Sequence, residues 1–363
     1  MSETDKTEKE EKQNKSRELI GSIVAIGAIV LIFMACIVLK DRGNHKIERP
    51  ISGEIMGIEQ DKKNKKEIAD VTETPEPTEE PWSFVAERTE DTASFPDSVV
   101  SANGVLIDIE NGTMLAEKGA KKKIYPASMT KIMTVLVAAE HVTKEQMEEK
   151  VTITSEITDY CYVNDCSNVG FAKNEKVPVK DLFYGTILPS GADAAMGLVN
   201  YVAGSEKEFV KLMNEKAEEL GIADTTHFAN CVGIYDDNNY STTYDMAVIL
   251  KAASENELCQ KVLNARTYTT TSTKQHKDGI VISNLFLRRI EDKYTNGEVL
   301  YAKTGFVNQS GSCAASMATD GNGKTYLCVT VGSTSSWRCI YDHVDLYNKF
   351  LPKKVKDKTS DNE

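Results

Sequence analysis

Tyr125-Pro126-Ala127-Ser128-Met129-Thr130-Lys131-Ile132-Met133-Thr134 sets a hydroxyl and an amine three residues apart, where a helical apolar pattern begins. Residues at that spacing share a helix face, so the Lys131 amine reaches the Ser128 hydroxyl. A neutral amine takes the hydroxyl proton and leaves a nucleophilic oxygen, which is the chemistry of acyl transfer. An ordinary lysine, with a pKa of about 10.4, is neutral in only about one molecule in 2,500 at pH 7. Its surroundings must therefore favour the neutral amine by roughly 4 kcal/mol, through desolvation or a neighbouring cation. A second cationic residue is expected close by. The spacing alone arises by chance about once in a chain of this length, so its weight depends on its context.

On the N-terminal side, Gly104-Val105-Leu106-Ile107-Asp108 and Thr113-Met114-Leu115-Ala116 read as strands joined through Asn111-Gly112, a strong hairpin signal. On the C-terminal side, apolar spacing predicts helices near 129–141, 143–149, 178–203, 205–220 and 243–264. Strand character returns at Val299-Leu300-Tyr301-Ala302-Lys303, at 312–319 and at 324–331, before a final helix near 339–350. Strands at both ends with helices between them predict an α+β domain over 97–351. Its antiparallel sheet is completed by the two chain ends, flanked by helices, and carries an inserted helical subdomain.

The chain has 363 residues, 40% of them hydrophobic, enough for one or two domains. Residues 19–39 carry no charge and would span about 31 Å as a helix, the thickness of a bilayer core. They read as a single transmembrane helix behind a polar head, 1–18. A cleaved signal peptide has a shorter apolar region followed by small residues, and a lipoprotein cleavage site at Cys36 would require an aliphatic residue where Phe33 stands. Lys and Arg flank both ends of the span, so the charge rule leaves orientation open. Residues 40–96 are charged, with Pro75, Pro77 and Pro81 at their centre, and read as a disordered spacer about 40 Å across as a coil. Residues 352–363 form a polar tail.

A net charge of −12 argues against a nucleic-acid partner. The eight cysteines and five histidines follow no zinc-ligand spacing, so no metal or cofactor is expected. Cys161 and Cys166 form the most plausible local bridge, with buried thiols the alternative for the rest. Gly323-Lys324-Thr325 imitates the end of a phosphate-binding loop, but Ala318 stands where that motif requires Gly.

Three elements occur in order: Ser128-x-x-Lys131, Ser190-Gly191-Ala192 after Leu188-Pro189, and Lys303-Thr304-Gly305 on a predicted strand. With Tyr125-Pro126-Ala127 and His227-Phe228-Ala229-Asn230, this set resembles the low-molecular-mass penicillin-binding proteins of the D-alanyl-D-alanine carboxypeptidase type. The resemblance covers about 97–351 and implies a β-lactamase/transpeptidase-like fold. It makes Ser128 the nucleophile, Lys131 its base and Ser190 a proton relay. Lys303 with Thr304 anchors a terminal carboxylate and supplies the expected second cation. Gly305 allows close approach of the strand, and the Ser128 and Phe306 amides form the oxyanion hole. A helix N-cap is the alternative for Ser190, and Arg338 is a candidate second carboxylate partner that reads first as a surface arginine.

Two positions depart from the family pattern. Ala192 replaces an Asn whose amide holds the base, a loss that weakens acylation or is offset by a water or another side chain. Cys231-Val232 stands where the family often has Pro-His. The resemblance implies a membrane-anchored, extracytoplasmic serine carboxypeptidase. Its partners are peptidoglycan stem peptides ending in D-Ala-D-Ala, β-lactam antibiotics, and a lipid bilayer through residues 19–39. The alternatives are an impaired penicillin-binding scaffold, motivated by Ala192, and a β-lactamase, against which no Glu-x-x-Leu-Asn follows Ser190.

Overall fold

A computed structural model describes residues 82–353. The head, the apolar span at 19–39, most of the spacer and the tail beyond 353 lie outside the described residues. Among the described residues, no helix is long and apolar enough to cross a membrane.

The chain opens with β1 (Glu87–Ser94), β2 (Asn103–Asp108) and β3 (Thr113–Lys118), then α1 (Thr130–His141). A short antiparallel pair, β4 (Lys150–Thr152) and β5 (Lys176–Pro178), brackets α2 (Ser155–Val163). Helices α3 (Val179–Ile187), α4 (Ala192–Ala203), α5 (Glu206–Glu219), α6 (Thr243–Ala253) and α7 (Glu257–Asn264) follow. A second short pair, β6 (Thr267–Thr269) and β7 (Val281–Ser283), leads to α8 (Leu287–Ile290). The strands β8 (Glu298–Val307), β9 (Gly311–Thr319) and β10 (Thr325–Ser333) and the helix α9 (Ser336–Phe350) close the domain.

The main sheet runs β1-β3-β2-β10-β9-β8. Its seam is the antiparallel pairing of β2 with β10, Val105 opposite Val329, so the two ends of the domain do complete one sheet. Period-two alternation divides its faces. Val105, Ile107, Leu327 and Val329 face the core that includes the buried residues of α1 and α6, whereas Leu106 and Cys328 face Ile340 and Tyr347 of α9. Helix α1 is buried at every position from Thr130 to Ala138, its polar Thr130, Lys131 and Thr134 included.

Four expectations need correction. The folded part reaches back into 40–96: β1 pairs in parallel with β3, and Thr92 donates from Oγ1 to the Met114 carbonyl at 2.7 Å. This edge strand is charged and buries only Thr92, so it has no apolar alternation to read. The single helix expected over 178–203 breaks between Ile187 and Ala192, where Ser190 takes a left-handed φ of 66°. That over 243–264 breaks before Asn256, which caps α7 by accepting from the Leu258 and Cys259 amides at 3.0 and 3.1 Å. Finally, the cysteines among the described residues are free thiols. Cys161 belongs to the core whereas Cys166 borders the active cavity, and the backbone amide of Cys166 donates to the Cys161 carbonyl at 3.0 Å.

Candidate active site

The turn that delivers Ser128 is strained. Ala127 adopts φ 48°, unusual for a residue with a Cβ, and a single 3-10 turn over Ala127–Met129 runs directly into α1. Ser128 is thereby left half-buried at the head of the helix, with Lys131 one turn on and only 2% exposed. The Lys131 Nζ donates to Ser128 Oγ at 3.1 Å and to the Val232 carbonyl at 2.7 Å. Burial pulls its pKa down to about 8, while the nearby Cys166, Cys231, Cys161 and Asp193 act in the opposite sense.

Lys303 comes from β8, where it faces Ala315 of β9, and is also buried. Its Nζ donates to Ser190 Oγ and to the Thr304 carbonyl, both at 2.8 Å. Burial first, and then the charge of Lys131, hold its pKa well below the ordinary lysine value. The sequence leads one to expect Lys303 to be what makes Lys131 basic. Instead burial dominates at Lys131, and the repulsion between the two amines weighs on Lys303.

Ser190 is not a helix cap. Gly191 occupies the cap position of α4 without a side-chain bond, and the Ser190 hydroxyl is engaged by Lys303. Gly305 answers to a close approach: a Cβ there would stand 2.8 Å from Cys313 Sγ and 3.0 Å from the Ser128 amide nitrogen. One cavity of about 600 Å³ is lined by Ser128, Lys131, Ser190, Thr304, Gly305 and Phe306. Lys303 lies behind this lining, joined to it through its bond to Ser190. Among the described residues, no group of three or more His, Cys, Asp or Glu side chains is arranged to hold a metal.

Several contributors carry no side-chain motif. The Val232 carbonyl that grips Lys131 sits in a loop organised by Asn230. That side chain accepts from the Gly233 amide at 2.7 Å and from the Val232 amide at 3.3 Å, and donates to the Ile234 carbonyl at 3.1 Å. Gly233, at φ 79°, lies so close to the turn bearing Ser128 that a Cβ would fall 1.9 Å from the Ala127 carbonyl oxygen. Asp193 accepts from the amides of Val169, Gly170, Phe171 and Ala194 at 2.8–3.2 Å, fixing the segment that follows the cavity wall at Asn164–Ser167. Arg338 is turned away from the cavity, bound to Asp342 at 2.9 Å, and to Asp345 and the Ser98 carbonyl at 2.7 Å. The arginine on the cavity wall is Arg289, its guanidinium 5.3 Å from the centre of the Trp337 ring.

Residues 89–334 match the family model Peptidase_S11, described as D-alanyl-D-alanine carboxypeptidase. The D-alanyl-D-alanine carboxypeptidase DacF of Bacillus subtilis is 30% identical over 258 residues, 71% of this chain and 64% of that protein. A D-alanyl-D-alanine carboxypeptidase of Streptomyces sp. strain K15 is 32% identical over 257 residues, 67% of this chain and 84% of that one. The fold is mixed α+β, similar to the crystal structure of the Streptomyces K15 DD-transpeptidase, with a TM-score of 0.64 and 30% identity over 70% of this chain and 97% of that chain. Penicillin binding protein 5 from Haemophilus influenzae gives a TM-score of 0.60 at 27% identity, over 68% of this chain and 70% of that one. The chain thus spans somewhat less than two thirds of the length of DacF.

Proposed function

The chain belongs to the D-alanyl-D-alanine carboxypeptidase family, Peptidase_S11, and on that premise we propose that it removes the terminal D-alanine from peptidoglycan stem peptides through an acyl-enzyme on Ser128. The observation that carries this reading is the convergence of two buried amines on two hydroxyls at one cavity: Lys131 on Ser128 at 3.1 Å and Lys303 on Ser190 at 2.8 Å.

Neutral Lys131 takes the Ser128 proton as Oγ attacks the carbonyl of the penultimate D-alanine. The oxyanion is met by the Ser128 and Phe306 amides, each such donor typically contributing about 3 kcal/mol. Collapse of the adduct breaks the peptide bond. The leaving amine takes the proton from Lys131 by way of Ser190, and water then hydrolyses the ester. Ser190, Thr304 and Arg289 offer the terminal carboxylate its partners, and an anion there favours protonated Lys303. A β-lactam presents a similar carbonyl and carboxylate and acylates the same serine. Such a substrate lies outside the cytoplasmic membrane, so the domain works there, held by the apolar span at 19–39 and the spacer that follows.

Ala192 does not by itself favour an inert scaffold, since both amines are held without an amide at that position. A second reading, acyl transfer to an amine instead of water, is motivated by the likeness to a DD-transpeptidase over 97% of that chain. The test is D-alanine release from a D-Ala-D-Ala peptide, with and without glycine as acceptor, by the wild type and Ser128→Ala. Release that depends on Ser128 is expected, with hydrolysed peptide as the main product; no release from wild type contradicts the carboxypeptidase, and a glycyl product as the main species favours transfer.

A further inference from the structure

The two departures from the family pattern both bear on how Lys131 is held. Ala192 leaves Lys131 without a side-chain amide to hold it, and the Val232 carbonyl grips it at 2.7 Å instead. A carbonyl is a useful partner only if its loop is fixed. Asn230 fixes the loop from within; a second anchor reaches it from helix α5. The first residue of that helix, Glu206, accepts through Oε1 from the Cys231 amide at 3.1 Å, the Cys231 thiol at 3.3 Å and the Tyr160 hydroxyl at 3.3 Å. The amide bond exists only because residue 231 is not proline, which has no N–H to donate. Cys231 is buried without exposure and directly precedes the carbonyl in question. An unpaired buried amide there would be costly, so Glu206 has a strong hold on this peptide.

We propose that Glu206 is a positioning residue for acylation: through Cys231 it fixes the Val232 carbonyl that holds Lys131, a hold that Ala192 has no amide to provide. This rests on the acyl-enzyme reading of Ser128. Glu206 touches neither substrate nor the reacting atoms, so its effect belongs to the rate of bond formation rather than to substrate affinity.

The experiment measures the rate of Ser128 acylation by a fluorescent penicillin across pH, with kcat and KM for a D-Ala-D-Ala peptide and the melting temperature, in wild type, Glu206→Ala and Glu206→Gln. Glutamine keeps an oxygen acceptor for the Cys231 amide; alanine does not. Glu206→Ala is expected to lower the acylation rate and kcat by about tenfold with KM nearly unchanged and a displaced pH profile, and Glu206→Gln to recover most of the loss. Wild-type labelling with an unchanged rate and profile in Glu206→Ala overturns the positioning role alone, as does an equal loss in both variants that follows their melting temperatures. Absence of labelling in the wild type overturns the acyl-enzyme reading, and this role with it.

Discussion

An amine whose pKa burial has lowered to about 8 is part deprotonated near neutral pH, so the proposed mechanism needs no second cation to make Lys131 a base. In the proposed mechanism the neutral form is the active one, and acylation of Ser128 by penicillin is therefore expected to rise with pH through about 8. Stopped-flow labelling between pH 6 and 9.5 checks this, and a flat profile contradicts it. Gly233→Ala tests the contact behind the base: at φ 79° and 1.9 Å from the Ala127 carbonyl, the added methyl displaces the nucleophile turn. A loss of about 2 kcal/mol or more in urea unfolding, together with loss of labelling, is expected. The sequence pointed to Ser128 and Lys131 by their spacing and to Ser190 and Lys303 by the resemblance to a family motif set, and the structure brings the four side chains together. The Val232 carbonyl was not legible in the sequence, since every residue has one, and Glu206 was hidden among other acidic helix residues.

Among the elements, the site depends on a break: the left-handed Ser190 lies in the turn between α3 and α4, where its hydroxyl accepts from Lys303, and Asp193 at the start of α4 gathers the loop that leads to α3. Burial raises the Asp193 pKa while four backbone donors oppose that rise. Asp193→Ala strands those amides, and a loss of about 3 kcal/mol is expected by chemical denaturation. Cys166, on the wall this loop supports, should then react faster with a thiol reagent; unchanged stability and reactivity would remove Asp193 from the account. The break was written in the sequence as Pro189-Ser190-Gly191, a proline followed by turn residues, and the apolar spacing on either side of it led a reading by pattern to carry the helix across. The hairpin at 104–116 and the three strands after residue 298 were legible, because alternation and turn residues agree there. Strand β1 was not, having almost no buried face.

Across the whole molecule, a sheet closed by both ends of the domain ties stability to the packing of α9 beneath it. His343 of that helix is buried between Ser316 at 2.7 Å and Thr330 at 3.0 Å, and burial holds its pKa down to about 4. The unfolded chain takes up this proton near pH 6.5 and the native one only near 4. His343 thus disfavours the fold as pH falls from 6.5 to 4, by about 3 kcal/mol, and has no such effect above 6.5. Urea unfolding at pH 7 and 4.5 should show a smaller loss in His343→Gln than in wild type; equal losses contradict the assignment. The architecture of strands at the ends and helices between was legible because it follows from element order, whereas the two short strand pairs and α2 give segments too brief for a period to emerge. The central claim is that Ser128 is the acylated nucleophile, and its most direct test is peptide mapping by mass spectrometry after exposure to benzylpenicillin. One penicilloyl group is expected, on the peptide bearing Ser128, and none in Ser128→Ala; an adduct on another residue, or no adduct in the folded wild-type domain, would contradict acylation at Ser128.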